Sequence, residues 1–136
     1  MIVRDEGLLR FLRDELPGRV SQALRGDSAS ALRGLAGLCV EALARGCSAF
    51  GVDCGGDPRV VAWRVLERVV GFSREFVLAR YMAIAASADF IASVGDSLIV
   101  DILVRDLVTC IEKVRVLMLR MVEEGRPWVE IYSVGD

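Results

Sequence analysis

Apolar residues recur along the chain at helical spacing. Leu9, Leu12, Leu16, Val20 and Leu24 lie three or four residues apart and form one stripe, which predicts a helix from about Asp5. Pro17-Gly18 interrupts that stripe. A proline there removes a backbone hydrogen bond and crowds the preceding turn, so a break or sharp kink is expected near Leu16. A second short helix then carries Val20 and Leu24. The run GDSAS sets the next helix start, with Asp27 or Ser28 as N-cap. Leu32, Leu35, Cys39 and Leu43 form its apolar face. Gly34, Ala36, Gly37, Ala42 and Ala44 keep this helix thin, and Gly46 is placed to end it.

The stretch FGVDCGGDPRVV (50–61) separates this helix from the next. Aspartate followed by proline, Asp57-Pro58, is a helix-start signal. The helix it starts carries Val61, Val65, Val69, Phe72 and Phe76. From Phe76 to Ala86 every residue except Arg80 is apolar or small, a pattern of deep burial. In SADFIASVGDS, Gly95 ends one helix, and Asp96 with Ser97 caps another. The last helix, Leu98 to about Glu124, places Val100, Leu103, Leu107, Ile111, Val114, Met118 and Met121 on a helical period. It spans about 40 Å. Asp101 faces Arg105 at i,i+4, a pairing worth a few tenths of a kcal/mol, roughly. Gly125 and Pro127 stop this helix.

The tail RPWVEIYSVGD alternates instead, which predicts a strand over 127–134. A lone strand must pair with Met1–Val3, another copy or a partner to satisfy its backbone. The expected fold is all-α. It is an antiparallel helical bundle of four to five helices with a short C-terminal strand, in one domain spanning 1–136, because short connectors favour antiparallel neighbours.

Composition adds a demand for cover. Hydrophobic residues make up 54% of the 136, and mean hydropathy is +0.45. Helices in such a chain need covering on more than one face, and a second chain is a natural cover. The net charge of -2 and a pI of about 5.2 leave no global basic footprint for nucleic acid. Lys113 is the only lysine, Gln22 the only glutamine, and histidine and asparagine are absent. This composition is thermophile-like, although a GC-rich genome gives the same arginine skew. The charged N-terminus has no signal-peptide core, and no uncharged apolar run reaches bilayer length. A cytoplasmic protein without membrane contact is expected.

Reactive chemistry is sparse. Cys39, Cys47, Cys54 and Cys110 contain no CxxC pair, and no histidine completes a mixed zinc site. Cys39 and Cys110 fall on apolar helix faces as small hydrophobes. Cys47 and Cys54 flank the connector and are placed to pair across it, while a reducing cytosol keeps them as thiols. Cys54 as a nucleophile near the helix at Pro58 has no histidine base, and Asp53 and Asp57 oppose its thiolate. Gly55-Gly56 fits no phosphate-loop pattern. Asp96, Asp101 and Asp106, spaced by five, diverge on a helix, and no Glu-x-x-His pair accompanies them. Neither a metal nor a cofactor is expected.

The arginines Arg59, Arg64, Arg68 and Arg74 are a candidate nucleic-acid surface. Only Arg64 and Arg68 share a clean i,i+4 face, which favours solvated faces and ion pairs between subunits. Arg80, set in an apolar run, must reach water, pair with a carboxylate or face a partner. Trp128 and Tyr132 share one side of the strand, as interface anchors do. The expected interaction surface comprises Phe76, Arg80, Tyr81, Met118, Met121, Trp128, Ile131 and Tyr132. The chain therefore reads as a non-enzymatic helical assembly subunit that self-associates and docks protein partners.

The stretches REFVLARYMAIAA and DSLIVDILVRDLVTCIEKVR, with the outline of paired helices and a short strand, carry a resemblance. In these the chain is similar to the helical part of archaeal GINS replication subunits and to small helical subunits of CRISPR effector complexes. Neither stretch is a family-specific motif. The resemblance implies, as an alternative, a nucleic-acid-associated subunit using the arginine surface. A second alternative is a thiol-dependent enzyme or redox protein using Cys54.

Overall fold

The computed structural model of the chain describes residues 4–46 and 87–125. Within them the chain is all-α, with four helices packed against one another and no strand. We number them α1 (6–23), α2 (Ser28–Arg45), α3 (Ala88–Val94) and α4 (Ser97–Glu124). The expected helix after Pro58, the Phe76–Ala86 run and the strand over 127–134 lie outside the described residues.

The expected break in α1 does not occur. Asp5 caps the helix by accepting a hydrogen bond from the Leu8 backbone N–H at 3.1 Å. The backbone then stays right-handed helical through Pro17 to Ala23. Phe11–Glu15 forms a π-helical turn just ahead of the proline, in which the Leu16 N–H donates to the Phe11 carbonyl. This wider turn shifts the carbonyl that the pyrrolidine ring of Pro17 would strike in a regular α-helix. The proline is accommodated by a change of helical pitch.

Helix α2 starts where expected. The Asp27 carboxylate accepts from the Ser30 N–H at 2.8 Å. That hydrogen bond holds the Asp27 carboxyl below its ordinary value. A depressed carboxyl stabilises the fold above its unfolded pKa, and the contribution disappears as pH falls through the folded value. Asp27→Asn is therefore expected to shrink the loss of denaturant midpoint between about pH 5 and pH 2. Wild-type acid sensitivity in that variant would show that the cap carboxylate contributes nothing.

Helix α4 is capped by Asp96, which accepts from the Leu98 N–H at 2.8 Å. It ends at Gly125, whose φ of 71° is left-handed and whose N–H donates to the Met121 carbonyl at 2.9 Å. A left-handed C-terminal residue is the conformation glycine adopts at least cost.

Helix α2 is central and touches the other three helices, α4 most extensively. Leu12, Leu16, Leu32, Leu35, Leu107 and Ile111 meet in the core and are essentially inaccessible to water. Burying each such side chain contributes about 1.5–3 kcal/mol. Phe11 lies beneath the Arg45 guanidinium, 4.2 Å from the ring centroid. The aliphatic stem of that arginine shields the ring while its charge reaches solvent.

Exposed ion pairs join the helices at their rims: Arg13 to Glu123, Arg19 to Glu41, and Arg33 to Asp89. Pairs of this kind contribute little energy but bias the register in which helices meet. Asp101, expected to face Arg105, instead accepts a hydrogen bond from Ser28 Oγ and ties α4 to the start of α2. Among the described residues no polar or charged side chain is buried. No described helix is long and apolar enough to cross a membrane.

Candidate functional site

Of the expected interaction residues, Met118 and Met121 lie among the described ones. Both are core residues, 1% and 2% exposed, and so are corrected from surface to interior. Their spacing with Leu107, Ile111 and Val114 turns them toward the packed side of α4, and burial follows. Phe76, Arg80, Tyr81, Trp128, Ile131 and Tyr132 lie outside the described residues. So do Arg59, Arg64, Arg68 and Arg74, and Cys47 and Cys54.

The described surface carries a different apolar site, at the corner where α3 meets α4. Helix α3 buries Ala88 and half-buries Ile91 and Ala92. Its opposite side presents Phe90 and Val94, four residues apart and 71% and 66% exposed. Helix α4 turns Val100, Leu103 and Leu107 inward. That leaves Leu98 and Ile102, again four apart, and Ile99 facing out, with Leu98 66% exposed. Side chains at i and i+4 stand together on one helix face. Two such exposed pairs thus stand on consecutive helices separated only by Gly95-Asp96, at the α3–α4 corner.

Gly95 makes the corner tight. Its N–H donates to the Ile91 carbonyl at 2.7 Å. A Cβ on Gly95 would come 2.5 Å from that carbonyl oxygen and 3.2 Å from Val100 Cγ2. The chain passes so close to the end of α3 that no side chain fits there.

The polypeptide of the corner is rich in aspartate. Asp89, Asp96, Asp101 and Asp106 stand against Arg105 in the same stretch. Asp89 also takes Arg33 at 3.5 Å, and Arg33 donates to Ser93 Oγ at 3.0 Å. Two hydroxyls of these helices donate back to their own backbone. Ser93 donates to the Asp89 carbonyl at 2.9 Å, and Thr109 to the Arg105 carbonyl at 3.1 Å. Farther along α4, Arg115 donates to Glu112 at 2.9 Å beside the exposed Val116. That bond lowers the Glu112 carboxyl and raises the Arg115 guanidinium relative to their ordinary values.

A shallow cleft at the start of α1 is lined by Asp5, Leu8, Arg10, Glu15 and Arg45. Asp5 is engaged as the α1 cap, and Arg45 covers Phe11 and approaches Glu41 at 4.0 Å. These side chains already serve the fold. No group of three acidic, histidine or cysteine side chains among the described residues is arranged to hold a metal ion.

Periodicity alone does not reveal the corner. Its signal is the width of the apolar arc at the start of α4. Leu98, Ile99, Val100, Ile102, Leu103 and Val104 are more apolar positions than one buried stripe uses. Comparisons of the chain with family models, with curated proteins and with solved structures returned no match.

Proposed function

We propose that the chain is a non-enzymatic helical assembly subunit, an antiparallel bundle that works inside the cell by self-associating and docking to protein partners. The observation that carries this reading is the exposed apolar corner of Phe90, Val94, Leu98, Ile99 and Ile102. Apolar side chains gathered at one place on a surface mark interaction sites, whereas scattered ones do not. High overall hydropathy supports the same reading. The aspartates of this stretch disfavour a nucleic-acid backbone here, since like charges repel.

Light scattering over a range of concentrations tests the proposal. The native chain is expected to form a dimer or larger species. Leu98→Glu combined with Ile102→Glu is expected to weaken that association by roughly 10- to 100-fold, the effect of losing central apolar anchors. Both positions are exposed, so the helical circular dichroism of the variant should match wild type. A native chain that stays monomeric, or one whose association ignores both substitutions, overturns the assignment of this corner.

A further inference from the structure

The described core contains two thiols, both outside the surface proposed for association. Cys39 on α2 and Cys110 on α4 are both fully buried, and their Sγ atoms are 3.1 Å apart, one thiol donating to the other. They are 71 residues apart in sequence and meet only because α2 and α4 pack along each other. Leu35 and Leu43 stand one turn either side of Cys39, and Leu107 and Val114 flank Cys110. All of these neighbours are buried and apolar.

We infer that Cys39 and Cys110 form a disulfide that staples α2 to α4 when the chain folds in the presence of a low-molecular-weight disulfide. A disulfide needs its sulfurs at about 2.05 Å, roughly 1 Å closer than they stand here. Closing that gap is the one geometric change the bond requires at the sulfur atoms. The chemistry is two successive exchanges. One cysteine thiolate attacks the small disulfide, forming a mixed disulfide and releasing one small thiol. The second cysteine thiolate then attacks the protein sulfur and expels the other small thiol. Each cysteine gives up one proton. The two cysteines together lose two electrons, which reduce the small disulfide to two thiols.

The surroundings fix when this happens. The hydrogen bond to Cys39 and burial both push the Cys110 thiol far above its usual range, so its thiolate is scarce once the core has closed. Exchange therefore runs as α2 and α4 first meet, before the surrounding leucines close over the two thiols. Afterwards the bond is sealed from dissolved reductant by the same leucines.

The test is to refold the full chain in a glutathione redox buffer, block remaining thiols, digest and map linked peptides by mass spectrometry. The expected product joins the Cys39 and Cys110 peptides, about 2 Da lighter than the sum of the reduced pair. Its thermal midpoint should lie about 5–15 °C above that of the reduced chain. Dithiothreitol should cleave the bond at least ten times faster in denaturant than without it. Because Cys47→Ser with Cys54→Ser leaves only this pair, both remaining thiols should vanish together in that variant. A bond mapped to Cys47–Cys54 alone, or Cys39 and Cys110 recovered fully alkylated, overturns the inference.

Discussion

Phe11→Ala is expected to lower the unfolding free energy by about 3–5 kcal/mol, the usual cost of deleting a fully buried aromatic ring. Three features place this residue at the high end. Phe11 has no measurable exposure, so its ring surface is removed from water entirely. It packs in the same buried cluster as Leu12, Leu16 and Leu35, so truncation leaves a cavity among them. The Arg45 guanidinium rests on its face and has no other aromatic surface to cover among the described residues. Small domains hold about 5–15 kcal/mol in all, so the loss is a large part of the total. Urea denaturation followed by circular dichroism measures it. Phe11→Leu keeps most of the volume and should lose less than half as much. A Phe11→Ala loss below about 1 kcal/mol would show that the ring packs against little.

Gly95→Ala should be the most damaging single-methyl addition among the described residues. Backbone conformation is not the obstacle, since Gly95 sits at φ -75° and ψ 148°, where any residue is comfortable. The obstacle is the Ile91 carbonyl oxygen, 2.5 Å from where the new carbon must go. That oxygen also accepts the Gly95 N–H, so moving it away breaks the hydrogen bond that closes α3. The neighbouring Val100 methyl blocks the other direction of relief. Overpacking of this kind costs about 1–3 kcal/mol. Gly37→Ala is the matched control, because nothing lies within 4 Å of its Cβ position. The control should be neutral or slightly stabilising through better helix propensity. Equal effects at the two sites would show that the α3–α4 corner yields readily.

The helices themselves are legible wherever a cap residue and a stripe agree. Asp27 and Asp96 each precede an apolar period, and both cap the helices they announce. Gly125 ends the longest of the described helices, at a left-handed position. Local chemistry decides these features, so local sequence reveals them. The helix through Pro17 was not legible, because the rule for proline assumes α geometry and the chain changed geometry instead.

Tertiary choices are hidden more deeply. Met118 keeps the period of the core stripe, and the packed side of α4 takes it inward. Leu98 and Ile102 are as apolar as Val100 and Leu103, and only the position of α2 separates outward from inward residues. The meeting of Cys39 with Cys110 depends on how two helices slide past each other, a quantity no spacing along one chain encodes.

The pitch change in α1 bears on how the chain tolerates gain or loss of a residue. A π-turn is a stretch of α-helix holding about one residue more than its track requires. Deleting a single residue between Arg13 and Glu15 would restore ordinary pitch and leave both ends of the helix in place. Pro17 would then collide with the turn before it unless it, too, were exchanged. Length variation in α1 and the identity of residue 17 are thereby coupled, and a shorter relative of this chain should carry something other than proline at that point.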